Sequence, residues 1–84
     1  MPKHLLFICS RNQWRSRTAE AIFRHSARYQ VRSAGTAAAA RHQVSIADLN
    51  WAEHILVMEE KHLELLRQRF PEAIRAKKVS VLHI

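Results

Sequence analysis

The 84-residue sequence predicts a single α/β domain, a three-layer structure with helices on both faces of a parallel sheet. Two observations predict this fold class. Short apolar runs of strand length alternate with segments whose apolar residues recur at helical spacing. The alternation begins with a strand, which favours right-handed crossovers between parallel strands. Because no repeat or linker divides the chain, residues 1–84 are expected to share one modest core.

The first half of the chain is expected to hold two strands and one helix. His4–Ile8 is an apolar run suited to a buried strand, and a helix is predicted from Arg15 until it frays near Tyr29. The apolar face of this helix comprises Ala19, Ile22, Phe23 and Ala27. Val31–Ser33 is the second strand, closed by a turn. Gly35 in that turn is the only glycine, which indicates a backbone geometry that other residues tolerate poorly.

A short helix and a third strand follow. Ser45 and Asp48 have the spacing of a capping box, which predicts a brief helix through Trp51. His54–Met58 is the most strand-like segment after the first.

The last part of the chain is expected to hold a helix and a fourth strand. Glu59 and Glu60 suit the negative preference of a helix start. The apolar face of this helix is formed by Leu63, Leu66 and Phe70. Pro71 ends or restarts the helix, and Val79–Ile84 is the final strand.

The position of Cys9 makes the topology informative about function. A flavodoxin-like strand order of 2-1-3-4 places the end of the first strand at a topological switch point, where open α/β sheets bind ligands. Cys9 stands at that end. The fold and the only cysteine of the chain therefore point to the same place.

A phosphate-binding loop is predicted between the first strand and the first helix. Arg15 and Ser16 open the helix six residues after Cys9, so that backbone N–H groups of the loop can converge and the positive helix end can face the sulfur. This arrangement lowers a thiol's pKa and binds a tetrahedral oxyanion. The alternative is a small buried core thiol, a common fate of free cysteine.

The loop resembles the signature of the low-molecular-weight protein tyrosine phosphatases. The resemblance extends over nearly the whole chain and is closest to the shortened bacterial branch of that family. The residues that carry it are Cys9, Asn12, Arg15 and Ser16, then Thr18–Glu20, Ser33–Thr36 and Ala52–Met58.

The resemblance implies hydrolysis of phosphate monoesters of the phosphotyrosine class, through a phosphocysteine on Cys9 and with no cofactor or metal. Arg11, Trp14 and Arg17 depart from the family, which usually has glycine, a second cysteine and proline there. The family's acid loop and helix at the C-terminus are expected to be lacking, because Asp48 is the only aspartate and nothing follows the last strand. Activity is therefore expected to be weak.

The catalytic residues are predicted to be Cys9, Arg15 and Ser16. Arg15 offers a planar fork that fits two phosphoryl oxygens, and Ser16 could donate a hydrogen bond to the sulfur, although an ordinary polar residue of a first helical turn would look the same. The predicted phosphate-binding residues are Ser10, Arg11, Asn12, Gln13, Trp14 and Arg15. Trp14 packs beneath the loop or walls the pocket.

Two other functions remain open at this point. The first is a non-catalytic module that binds anions or phosphoproteins. The second is a thiol-dependent arsenate reductase of the same fold, which would need an external thiol because the chain has one cysteine. The expected partners are a phosphate ester or other oxyanion and an acidic or phosphorylated protein.

Composition weighs against several other classes. The net charge of +7 could attract nucleic acid, but the chain lacks aromatic–basic interleaving and zinc-ligand spacing, so nucleic-acid binding is not expected. The six histidines show no metal-ligand spacing. No apolar run approaches the ~20 residues of a membrane helix. A single cysteine favours a reducing, cytoplasmic location. A homodimer is expected, because a lacking terminal helix would leave apolar surface open.

Overall fold

The computed structural model describes residues 2–11 and 15–83, with the backbone alone for residues 15–17. The strands are β1 (Lys3–Cys9), β2 (Tyr29–Gly35), β3 (His54–Val57) and β4 (Lys78–Val81). The helices are α1 (Arg15–Phe23), α2 (Ile46–Trp51), α3 (Glu60–Arg69) and α4 (Pro71–Arg75). All strand pairs are parallel and the sheet order is β2-β1-β3-β4, which confirms the predicted fold class and topology.

Strand β1 lies at the centre of the molecule and is buried on both sides. Its alternate residues point to opposite faces of the sheet. Leu6 and Ile8 join the larger core, which α2, α3 and α4 cover, whereas Leu5 and Phe7 join a smaller core beside α1. A strand buried on both faces reads as a continuous apolar run, which is why this strand could be predicted from sequence.

The predicted helix starts of the second half are confirmed. Ser45 is the N-cap of α2, and its capping box with Asp48 is complete. Glu59 is the N-cap of α3. Pro71 is the first residue of α4, where its missing N–H costs no helical hydrogen bond, so it restarts the chain as a helix.

Helix α1 is shorter than the predicted helix, which was expected to fray near Tyr29. It ends at Phe23 because Tyr29 pairs with Lys3 and β2 runs beside β1 over seven residues. The predicted apolar face is therefore partly wrong. Ile22 is 73% exposed, whereas the Phe23 ring stacks on Phe7 with 5.9 Å between centroids.

The last strand is also shorter than predicted. Its final pair joins Val57 to Val81, and the backbone of His83 has a φ of 59°, in the left-handed region that extended strands do not contain. Within residues 2–11 and 15–83, no helix has the length and apolar character needed to cross a membrane.

Candidate functional site

Cys9 ends β1 at the carboxyl edge of the sheet, as the sequence predicts. It pairs in register with Gly35 of β2 and is 4% exposed. Its side chain belongs to the smaller core, together with Leu5, Phe7 and Met58. This is the face of the sheet that α1 covers, so the thiol lies on the same side as the helix that begins six residues later.

Three successive carbonyl groups, beginning with the last residue of β1, point to one side of the chain. The carbonyl oxygen of Cys9 accepts a hydrogen bond from the Thr36 N–H at 3.0 Å. The next two accept from residues of the same segment: Ser10 from Ala37 at 2.8 Å, and Arg11 from Arg41 at 3.1 Å. Segment 36–41 therefore satisfies all three of these carbonyls.

The orientation of these carbonyls fixes the direction of the amide groups. In a planar trans peptide the N–H lies opposite the C=O, and the described residues contain no cis peptide bond. The N–H groups of Ser10 and Arg11 therefore face away from segment 36–41. Successive amides that face one side form an anion-binding concavity, which is the chemistry expected of a phosphate-binding loop.

Gly35 allows segment 36–41 to approach the turn closely. A Cβ built on Gly35 would lie 2.6 Å from the Ser10 carbonyl oxygen and 2.6 Å from the Ala40 Cβ. The prediction of an unusual backbone geometry at Gly35 is wrong, because its φ is not positive. What requires glycine here is space, since any side chain would meet the backbone of Ser10.

Three further hydrogen bonds hold segment 36–41 in place. A guanidinium nitrogen of Arg69, at the end of α3, donates to the Thr36 carbonyl oxygen. Gly35 also bonds to the chain beyond the segment, because its N–H donates to His42 at 2.9 Å and its carbonyl accepts from Val44 at 2.8 Å. The segment is thus hydrogen-bonded at both ends and along the carbonyls of Cys9, Ser10 and Arg11.

Glu20 connects α1 to the edge strand β2. The hydroxyl of Ser33 donates to Oε1 of Glu20, and Ser33 is buried. Both residues belong to motifs that carry the family resemblance, so the structure joins two motifs that are 13 residues apart. This hydrogen bond holds α1, the helix that follows the loop, against β2.

His62 is a site residue that the sequence did not reveal. Its Nε2 lies 3.0 Å from Oγ of Ser10, although 52 residues separate them, and the ring is fully buried. The only signal was its place on the buried face of α3, beside Leu63 and one turn before Leu66. Apolar periodicity does not identify a histidine in such a position.

The side chains of Arg11 and Arg41 are exposed beside the turn. Among the residues that the structure describes, neither forms an ion pair with a carboxylate. Their backbones are hydrogen-bonded to each other, so the two residues are neighbours at the start of the loop. Such charge attracts anions in solution.

Asp48, the only aspartate of the sequence, is buried and held by neighbouring residues. Its Oδ2 accepts from the Ser45 N–H at 3.0 Å and lies 2.9 Å from Nε2 of His42. Its Oδ1 lies 3.6 Å from Arg32, and the residue is 4% exposed. These partners engage both carboxylate oxygens of Asp48.

Part of the predicted site lies outside the described residues. Asn12, Gln13 and Trp14 belong to that part, and so do the side chains of Arg15 and Ser16. The structure does place Cys9, Ser10 and Arg11 together at the start of the loop, and it begins α1 at Arg15. In residues 2–11 and 15–83 no group of three metal-ligating side chains is found.

Comparisons with known proteins agree with this geometry. Residues 4–47 match the family model described as low molecular weight phosphotyrosine protein phosphatase. A protein-arginine-phosphatase of Geobacillus stearothermophilus is 29% identical over 97 residues, an alignment that covers 87% of this chain and 66% of the relative.

Two solved structures share the fold. The YwlE arginine phosphatase from Geobacillus stearothermophilus superposes with a TM-score of 0.80 at 28% identity, covering 95% of this chain and 66% of that one. A YwlE mutant from Bacillus subtilis gives a TM-score of 0.78 at 22% identity, covering 94% of this chain and 70% of that one. The chain thus spans 66% of the length of the curated relative.

Proposed function

Because this chain belongs to the low molecular weight phosphotyrosine protein phosphatase family, we propose that it hydrolyses phosphate monoesters through a phosphocysteine on Cys9. The single observation that supports this most is the set of three carbonyls turned away from one side of the loop at Cys9, Ser10 and Arg11. That orientation leaves the amides of Ser10 and Arg11 available to an oxyanion.

The reaction has two steps, transfer of the phosphoryl group to Cys9 and hydrolysis of the resulting phosphocysteine. The thiolate of Cys9 attacks phosphorus in line, the P–S bond forms, and the P–O bond to the leaving group breaks with its electron pair. Water then attacks the phosphocysteine, the P–S bond breaks, and inorganic phosphate leaves. The proton of the attacking water is transferred to solvent or to phosphate.

Each predicted loop residue has a role in this proposal. Arg15 binds two equatorial phosphoryl oxygens through its planar fork and stabilises the charge that they carry in the transition state. Ser16 donates a hydrogen bond to the departing sulfur in the second step. The remaining amides come from the turn itself: Ser10, Arg11, Asn12, Gln13 and Trp14.

The substrate is proposed to be a phosphorylated protein or another anionic ester. Arg11 and Arg41 support this choice, because their exposed charges lie beside the turn without a described carboxylate partner. The curated relative and one of the solved structures, both from Geobacillus stearothermophilus, are described as arginine phosphatases. A phosphoarginine peptide is therefore a necessary comparison with a phosphotyrosine peptide.

Weak activity on poor leaving groups belongs to the same proposal. Asp48 is the only aspartate in the sequence, and its carboxylate is engaged by Ser45 and His42. Loss of acid assistance reduces rates by about 10²- to 10⁴-fold. Activated aryl esters, which leave without a proton, should be affected least.

The deciding experiment measures hydrolysis of 4-nitrophenyl phosphate by the wild-type chain and by Cys9→Ser. We expect turnover in the wild type only, and a phosphorylated Cys9 after rapid acid quench and mass spectrometry. Phosphate binding without turnover or phosphocysteine would support the binding module instead. Thiol-dependent turnover of arsenate in place of the ester would support the reductase.

The peptide comparison tests the leaving-group prediction. Wild-type rates on 4-nitrophenyl phosphate, a phosphotyrosine peptide and a phosphoarginine peptide are measured at one pH. We expect 4-nitrophenyl phosphate to react fastest, because its leaving group departs without a proton. Equal rates on 4-nitrophenyl phosphate and on the phosphotyrosine peptide would contradict weak acid assistance. Sedimentation at high concentration tests the expected homodimer separately, because a monodisperse monomer would contradict it.

A further inference from the structure

The hydrogen bonds of His62 identify which nitrogen of its imidazole carries the proton. The N–H of Glu59 donates to its Nδ1 at 3.1 Å, so that Nδ1 carries a lone pair and the proton is on Nε2. Nε2 lies 3.0 Å from Oγ of Ser10. The ring therefore donates to the hydroxyl of Ser10, and a continuous chain of hydrogen bonds runs from the start of α3 to the residue after Cys9.

We propose that His62 is a positioning residue for the loop: through Ser10 it sets the conformation on which phosphoryl binding depends. This inference rests on the proposed function of the loop at Cys9. His62 itself is fully buried on α3 and acts through the hydroxyl of Ser10 rather than on the phosphoryl group.

The contact completes the set of restraints on Ser10. Its carbonyl accepts from Ala37, the preceding carbonyl accepts from Thr36, and its side chain accepts from His62. Backbone bonds alone leave the hydroxyl free to rotate about χ1. An anion site needs its donors held within about 0.5 Å of the productive geometry, and the bond to His62 ties Ser10 to α3 in addition to segment 36–41.

The burial of His62 is itself informative. Leu63 and Leu66 show that this face of α3 packs against the apolar core. A leucine at position 62 would fill such a site without the cost of burying a polar ring. The imidazole is tolerated because both nitrogens have partners, Glu59 and Ser10, and one of those partners is in the loop.

The test compares two replacements that differ in the donor. Gln at position 62 keeps an N–H close to the place of Nε2, whereas Leu keeps only the volume. We measure the concentration of inorganic phosphate that half-protects Cys9 from iodoacetamide, and KM for 4-nitrophenyl phosphate. His62→Leu is expected to raise both by about 10-fold, the worth of one hydrogen bond. His62→Gln should stay within about 3-fold of wild type.

Ser10→Ala shows whether the effect passes through the hydroxyl. It removes the acceptor without replacing a side chain of the core, and it should weaken phosphate protection by about the same factor as His62→Leu. The double variant of His62→Leu and Ser10→Ala should bind phosphate no more weakly than either single variant, because each single substitution already removes the same hydrogen bond. An additive double variant would overturn the proposal, since His62 would then act through the core alone.

Leu66→Val is the matched control for damage to α3. It lies one turn further along the same buried face and carries no polar contact. We expect a lower melting temperature with phosphate protection within about 2-fold of wild type, measured well below the transition. If Leu66→Val weakens protection as much as His62→Leu does, general loosening of the helix explains the result and the proposal fails.

The outcomes separate this inference from the proposed function. Wild-type turnover with unchanged phosphate protection in His62→Leu overturns the positioning role alone. Phosphate protection of Cys9 without turnover overturns the phosphatase proposal alone, and the variants still decide the role of His62. A wild-type chain with neither turnover nor protection overturns both.

Discussion

A Cβ on Gly35 would lie 2.6 Å from the carbonyl oxygen of Ser10, a distance that real Cβ atoms essentially never show. Gly35→Ala should therefore push β2 and the loop apart. We expect a loss of about 1–3 kcal/mol in unfolding free energy, measured by urea denaturation, together with weaker phosphate binding. Ala38→Ser in the exposed part of the same segment is the control.

A second variant distinguishes the two clashes that a Cβ on Gly35 would make, one with Ala40 and one with Ser10. Ala40→Gly in the Gly35→Ala background removes the contact with the Ala40 Cβ and leaves the contact with the Ser10 carbonyl. We expect the double variant to remain destabilised, because a backbone carbonyl tied to Ala37 cannot move aside. Full recovery would show that side-chain crowding alone requires glycine.

Asp48 is expected to matter for stability and not for catalysis. Asp48→Ala removes the capping box with Ser45 and leaves His42 without its acceptor. The expected loss is about 1–3 kcal/mol, measured by chemical denaturation. Hydrolysis of 4-nitrophenyl phosphate at 10 °C should stay within about 3-fold of wild type. A 100-fold loss in the folded variant would give Asp48 a catalytic role.

The control for Asp48 is an exposed acid. Glu72 pairs with Arg75 at 3.6 Å, and both side chains are largely exposed. Glu72→Gln should change stability by less than about 0.5 kcal/mol, because solvent screens such pairs.

The bond between Glu20 and Ser33 should stabilise the docking of α1. Ser33→Ala is expected to cost about 1 kcal/mol, the usual net worth of one hydrogen bond, and Glu20→Ala should cost no further stability once Ser33 has been replaced. Thermal unfolding of the two single variants and the double variant measures this coupling. Ser26→Ala, which loses only an exposed bond to the Arg28 N–H, is the control.

The pH dependence of stability should include a contribution from His54. Burial lowers the pKa of His54 below its usual value of 6.5, and the positive charges of Lys78 and Lys3 lower it further. The unfolded chain then binds the proton first as pH falls. Stability that is present above pH 6.5 is therefore lost as pH falls from 6.5 through the folded-state pKa.

The variant His54→Gln tests this assignment. It keeps a polar partner for Ser80, to which His54 Nε2 is hydrogen-bonded at 2.8 Å. Denaturation midpoints of wild type and variant are compared between pH 5 and pH 7.5. We expect a smaller loss of stability in the variant at the acid end. A wild-type curve with the same slope as the variant would assign the pH dependence to other groups.

Local patterns were enough to predict the architecture. The strand at the start of the chain, the capping box at Ser45 and the restart at Pro71 each depend on residues that are near in sequence, so composition and spacing identified them. The parallel sheet followed from the alternation of strands and helices, and its strand order is the flavodoxin-like order that the fold class predicts. Cys9 at the carboxyl edge of β1 followed from that order.

Contacts between distant residues could not be predicted in the same way. The bond from His62 to Ser10 joins residues 52 apart, and nothing in the local sequence around His62 marks it as polar support for a loop. Gly35 was recognised as special for the wrong reason, because only the packed neighbours reveal that space, and not φ, is what it provides. Spacing along the chain encodes secondary structure, whereas the partners of buried polar groups depend on which segments the completed fold brings within 3 Å of one another.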